Sequence, residues 1–165
     1  MTRIAIIPAR GGSKRIPRKN VKPFLGTPML HWPVAAAQAS GLFDRIIVST
    51  DDEGIADAAR TAGAEALARP AALSDDRTGV VPVVRHALKT AGQGADSACL
   101  IYATAPFLRA KDIARGFEAL GGADFSLSVT TFPFPIQRAL LRTPEGRVAM
   151  FHPEHAQTRS QDLPE

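Results

Sequence analysis

The sequence predicts a three-layer α/β fold, a mainly parallel sheet with helices on both faces. Short apolar, β-branched runs alternate with longer segments whose apolar residues recur at helical spacing, the pattern of strands joined by crossover helices. Those runs are apolar almost throughout, as strands covered on both faces must be. The 165 residues suit one domain, and with 45% hydrophobic and 22% charged residues the chain is neither disordered nor a membrane protein.

Arg3-Ile4-Ala5-Ile6-Ile7-Pro8 is the first strand, stopped by its proline. Residues 9–23 form no regular element, because Gly11, Gly12, Pro17 and Pro23 interrupt them. A helix is expected from about Pro28 to Ser40, with Pro33 kinking it or delaying its start. Arg45–Thr50 is a second strand. Residues 52–62 are helical, with Ile55, Ala58, Ala59 and Ala62 on one face. Residues 64–68 make a third strand and 79–91 a helix carrying Val80, Val83, Val84, Ala87, Leu88 and Ala91. A strand at 97–102, a helix at 110–120 and a fifth strand at 125–131 follow. The proline-rich remainder, 132–165, holds one weak strand near 147–151. No internal repeat or domain boundary is evident. Ligands of such sheets sit beyond the carboxyl ends of the strands, which selects the loops 9–22, 50–53 and 102–109.

Charge singles out the first of these. Residues 1–43 hold seven Lys or Arg and no acid, whereas 44–165 hold thirteen basic and sixteen acidic residues. Six of the seven lie within 10–22, which predicts a polyanionic partner. In Pro8-Ala9-Arg10-Gly11-Gly12-Ser13-Lys14-Arg15-Ile16-Pro17-Arg18-Lys19-Asn20, adjacent glycines let the backbone turn tightly and bring N–H groups to an anion. Ser13 adds a hydroxyl donor, and five cations can neutralise a triphosphate. The spacing matches neither a dinucleotide fingerprint nor a Walker A loop. A solvated basic loop touching nucleic acid is the plainer alternative, disfavoured by the position directly after the first strand and by the lack of aromatics for base stacking. No apolar run could span a bilayer and the first strand is too short for a signal peptide, so the cytoplasm is the expected location. A single cysteine, Cys99, rules out an internal disulfide and reads as an inert core residue.

Ile6 through Asn20 resembles the N-terminal signature of the cytidylyltransferases that activate sialic-acid-type sugars. The resemblance continues through Phe43-Asp44-Arg45-Ile46-Ile47-Val48-Ser49-Thr50-Asp51-Asp52, Arg69-Pro70-Ala71-Ala72-Leu73-Ser74-Asp75-Asp76 and Tyr102-Ala103-Thr104-Ala105-Pro106-Phe107. With Phe151–His155 and Arg159–Glu165 it points to the pseudaminic acid branch, with the acylneuraminate branch as the alternative. The resemblance implies the Rossmann-like nucleotidyltransferase version of the fold. It implies an enzyme in which a sugar's anomeric hydroxyl attacks the α-phosphate of CTP, giving a CMP-sugar for surface glycans and pyrophosphate, with Mg²⁺ as cofactor. Arg10, Gly11, Gly12, Ser13, Lys14 and Asn20 would hold the nucleotide, together with Arg69, Thr104 and Pro106. Lys19 matches the lysine that contacts the α-phosphate and, with Arg10, is the expected catalytic group. Tyr102, where the acylneuraminate branch commonly has Gln, and Arg159, a bidentate partner for a carboxylate, would meet the sugar. CTP and a nonulosonic acid are the implied partners, with neither nucleic acid nor membrane. Family chains continue for tens of residues past the position of Glu165, so the expectation is a domain incomplete at its C-terminus. The continuation would carry much of the sugar pocket, a dimer-forming segment and the acidic metal ligands. A truncated, non-catalytic nucleotide-binding module is the further alternative.

Other residues read more plainly. Thr50-Asp51-Asp52-Glu53 reads as a capping box, although Asp51 and Asp52 could also meet ribose or metal. Asp75 and Asp76 look like capping or loop residues. His152 and His155 lack a third ligand for zinc. His86 reads as a surface residue.

Overall fold

The computed structural model describes residues 1–130, 137 and 139–158. The chain divides into two compact units, Met1–Ser126 and Leu127–Glu165.

In the first unit, strands β1 (Arg3–Pro8), β4 (Arg45–Thr50), β5 (Glu65–Ala68) and β6 (Ser97–Leu100) form a parallel sheet in the order β5-β4-β1-β6. A small antiparallel pair, β2 (Pro23–Phe24) and β3 (Thr27–Pro28), lies in the connection after β1. The helices are α1 (His31–Ser40), α2 (Glu53–Thr61), α3 (Val80–Ala91) and α4 (Ala110–Leu120).

β1 explains the layering. Its side chains alternate between two apolar layers, so neither face is left for solvent. Ala5 and Ile7 join Ile46 and Val48 against Leu30, Val34 and Ala37 at α1, Ile55 and Ala59 of α2, and Ile113 of α4. Ile4 and Ile6 join Ile47 on the other face, against Ala87, Val84 and Leu88 of α3. Alanines at the contacts let the helices approach closely, and Ile4, Ile6 and Ile7 are each no more than 1% exposed.

Several boundaries differ from the expected ones. α1 begins at His31 because Pro28 is taken up in the β2–β3 pair, which leaves Pro33 in the first helical turn, where its missing N–H costs nothing. Gly41 ends the helix in the left-handed region at φ 64°, and its N–H reaches the Gln38 carbonyl. The cap of α2 is Asp52, not Thr50: Asp52 Oδ1 accepts from Ile55 N at 2.9 Å, while Thr50 Oγ1 accepts from Asp52 N at 3.2 Å. Thr50 cannot serve as the cap because it is still strand, its carbonyl accepting from Arg69 N at 2.7 Å. β6 stops at Leu100, although Ile101 N still reaches the Ile6 carbonyl at 3.0 Å. His86 is half-buried rather than a surface residue, since α3 turns its Nδ1 inward, where no described group bonds it.

The expected strand at 125–131 is corrected over its described part. Phe125–Thr130 has no regular structure, and Phe125, Leu127 and Val129 are 81%, 61% and 68% exposed. The alternation is that of a strand, but no described strand hydrogen-bonds to it, and a strand without a ladder has unpaired backbone groups.

In the second unit, β7 (Leu140–Arg142) pairs antiparallel with β8 (Val148–Met150). β8 is the weak strand expected near 147–151. Its partner is too short to show a period, and Gly146 makes the turn at φ 82°. Among the described residues, no helix is long and apolar enough to cross a membrane.

Candidate functional site

A cavity of about 190 Å³ opens at the carboxyl edge of the parallel sheet. Pro8 and Arg10 reach it from the end of β1, Lys19 and Asn20 from the far side of the same loop, and Arg69 from the end of β5. Tyr102, Ala103 and Thr104 close it after β6, and Thr78, Gly79, Val80 and Val83 close it at the start of α3. Of the residues expected to form a site, six meet here: Arg10, Lys19, Asn20, Arg69, Tyr102 and Thr104. Gly11, Gly12, Ser13, Lys14 and Pro106 lie off its lining. Arg159 falls outside the described residues.

The loop after β1 is folded by its own long-range contacts. Asn20, 3% exposed, donates from Nδ2 to the Arg10 carbonyl at 2.9 Å and so ties the two ends of the loop together. Its own carbonyl accepts from Leu30 N at 2.9 Å, which fixes the loop to the start of α1. Gly11 N donates to Asp51 Oδ1 at 3.0 Å. A Cβ on Gly11 would stand 2.8 Å from the Asp52 Cβ, so glycine is required there by the close approach of the α2 cap. Arg18 adopts φ 51° and meets Asp52 at 3.4 Å.

Asp51 and Asp52 therefore brace the loop from behind instead of lining the cavity. Asp75 and Asp76 do so from the other side. Asp75 Oδ1 accepts from Arg77 N at 2.7 Å and Thr78 N at 2.6 Å, and these bonds, Thr78 first, hold its carboxyl below the usual range. Of the two roles read for Asp75, capping or loop, the observed one is the loop: it closes a turn ahead of α3, whose N-cap, Gly79, has no side-chain hydrogen bond. Asp76 does more: one oxygen meets Arg10 Nη1 at 2.7 Å and the other meets Lys14 Nζ. These hydrogen bonds, from Lys14 and then Arg10, lower its pKa. Three of the loop's cations are thus tied to aspartates, which separates this loop from a freely solvated basic face.

Arg69 is 8% exposed. Its Nε donates to Ser49 Oγ at 3.2 Å and its Nη2 to the Ser49 carbonyl. Burial pushes its pKa down, Asp51 opposes that and Arg10 adds to it, yet a guanidinium starts high enough to stay charged. Lys19 is half-buried and lines the cavity with no carboxylate partner among the described residues. Tyr102 is 59% exposed at the rim, its carbonyl accepting from Ala105 N at 3.2 Å.

The strand-end rule found two of the three walls. The 69–80 segment is a wall that the rule does not select: Arg69 is its one expected site residue, Asp75 and Asp76 read as capping or loop residues, and nothing local marks Thr78–Val80. Among the described residues, no three His, Cys, Asp or Glu converge as a metal site. Near the cavity Asp51, Asp52, Asp75 and Asp76 are each committed to N–H or cationic donors. The described residues therefore do not form a protein cage for Mg²⁺. Cys99 is half-buried against the apolar layer, and burial raises its thiol pKa, as expected of an inert residue.

Comparison with known proteins extends this picture. A family model described as cytidylyltransferase matches residues 4–163. The pseudaminic acid cytidylyltransferase of Campylobacter jejuni subsp. jejuni serotype O:2 is 41% identical over 169 residues, covering 99% of this chain and 73% of that one. The N-acylneuraminate cytidylyltransferase of Escherichia coli O18:K1:H7 is 38% identical over 104 residues, 63% of this chain and 25% of the relative. Among solved structures, CMP:2-keto-3-deoxy-manno-octonic acid synthetase complexed with CTP shares the fold with a TM-score of 0.65 and 21% identity. That match covers 74% of this chain, which spans 48% of that structure.

Proposed function

The chain belongs to the cytidylyltransferase family, and from that membership we propose that it transfers CMP from CTP to a nonulosonic acid, pseudaminic acid, and releases pyrophosphate. The observation that carries this reading is the convergence of Arg10, Lys19 and the buried Arg69 on one cavity at the sheet's carboxyl edge. The acceptor's anomeric oxygen forms a bond to the α-phosphorus, the bond to the bridging oxygen of the β-phosphate breaks, and the hydroxyl proton is lost. The nucleophile is weak and the target anionic, so neutralisation of charge and alignment supply most of the rate. Lys19, half-buried and without a carboxylate partner among the described residues, is suited to the charge that grows on the α-phosphate. Arg10 and Lys14 hold the outer phosphates, and Arg69, Asn20 and Thr104 the nucleoside end, with Gly11, Gly12, Ser13 and Pro106 shaping the loops that carry them.

Tyr102 and Arg159 are proposed to meet the sugar. Mg²⁺ belongs to the same proposal as an ion carried on the nucleotide's phosphates, which is its common mode of binding. A homodimer, a cytoplasmic location and a role in surface-glycan synthesis rest on the family resemblance.

Pyrophosphate release that requires both CTP and pseudaminic acid is the expected result. CTP binding with no turnover on any nonulosonic acid would replace this reading with a nucleotide-binding module. Tyr102→Gln exchanges a ring for an amide at the exposed rim. It is expected to shift preference between pseudaminic and N-acylneuraminic acid by about three- to tenfold, with CTP affinity unchanged. An unchanged sugar profile would remove Tyr102 from acceptor choice.

A further inference from the structure

We propose that Asp76 is an internal counter-anion that occupies the Arg10–Lys14 clamp and must be displaced when polyphosphate binds, so that it sets the site's phosphate affinity. The inference rests on the reading of the cavity as a phosphate site. Asp76 places one carboxylate oxygen on Arg10 Nη1 at 2.7 Å and the other on Lys14 Nζ. Two cations from one loop thus converge on the two oxygens of a single anion, as they would on a phosphate. Among the described residues the Asp76 side chain has no other partner. Its neighbour is held differently, for Asp75 caps Arg77 and Thr78 N–H with its side chain and accepts from Arg10 Nη1 at 2.8 Å with its carbonyl. The backbone is therefore anchored without the help of the Asp76 carboxylate, whose side chain is 40% exposed and has room to swing into solvent. Arg10 itself lines the cavity, so an anion seated there competes directly with Asp76. Exposed ion pairs are weak, which makes the contact displaceable.

Calorimetric titration of the full chain with inorganic tripolyphosphate tests this, because that probe carries neither base nor sugar. Asp76→Asn is expected to bind tripolyphosphate about three- to tenfold tighter than the wild type at low salt. Asp76→Glu, which keeps the competing charge, should stay within about twofold of wild type. The gain should shrink when Asp76→Asn is made in a Lys14→Ala background. Thermal melts establish that each variant is folded, and Asp76→Ser replaces Asp76→Asn if the latter is not. Unchanged affinity, or no tripolyphosphate binding by any form, overturns the proposal. Weaker binding overturns it too, since Asp76 would then be ordering the cations instead of competing for them. If tripolyphosphate responds as expected but CTP and pseudaminic acid yield no pyrophosphate, only the reading under Proposed function fails.

Discussion

Replacing Lys19 with alanine is expected to lower turnover by about 10²–10³-fold, the usual cost of losing one preorganised group that stabilises developing charge. CTP affinity should fall by no more than about threefold, because Arg10, Lys14 and Arg69, the residues proposed to hold the nucleotide, are left in place. The asymmetry follows from the ion pairs. Arg10, Lys14 and Arg18 each meet an aspartate, while Lys19 lines the cavity with no carboxylate partner among the described residues. A partially desolvated ammonium without a counter-charge is best used where negative charge appears during the reaction. Single-turnover rates set beside equilibrium CTP binding decide the matter. Equal losses in both would make Lys19 a ground-state contact and end its transition-state role.

The second large effect concerns Arg69. Arg69→Ala is expected to destabilise the protein by about 2–4 kcal/mol, through the lost charge-assisted bonds to Ser49 and the space left behind. It should also weaken CTP binding. Arg69→Met separates the two consequences. Burial works against the guanidinium's charge, so an apolar side chain of similar length should recover about half or more of the lost stability, as replacements of buried charges commonly do. It should recover none of the nucleotide affinity. Chemical denaturation and CTP titration of both variants test the pair of statements. An Arg69→Ala protein as stable as the wild type would show that the Ser49 contacts contribute little. Nucleotide binding restored in Arg69→Met would show that Arg69 acts only as packing.

Much of the architecture was legible from local pattern. The strand at Arg45–Thr50 and the helix at Ala110–Leu120 have the boundaries read from the sequence, because a continuous β-branched run and a clear apolar stripe are properties of neighbouring residues. The failures share one cause. Phe125–Thr130 has the composition of a strand yet pairs with no described strand, and alternation cannot report whether a partner is present. Thr50 has the chemistry of a cap yet remains in the sheet, because Arg69 N, nineteen residues away, bonds its carbonyl.

The candidate site divides in the same way. Sequence by itself determined the four strands of the parallel sheet and the glycine-bearing basic loop after the first of them. It also determined the cationic character of that loop, since charge clustering and glycine punctuation act over a few residues. Only the tertiary structure decided that Arg69 is buried, that Thr78–Val80 form a wall, and that Asp51, Asp52 and Asp76 hold the loop's backbone and cations. The contacts responsible join residues 40 and 65 positions apart, as from Gly11 to Asp51 and from Arg10 to Asp75. No spacing rule reaches that far. An aspartate that caps a helix and one that pairs with two loop cations are the same residue type in sequence, and differ only in what the fold places within hydrogen-bond distance of their oxygens.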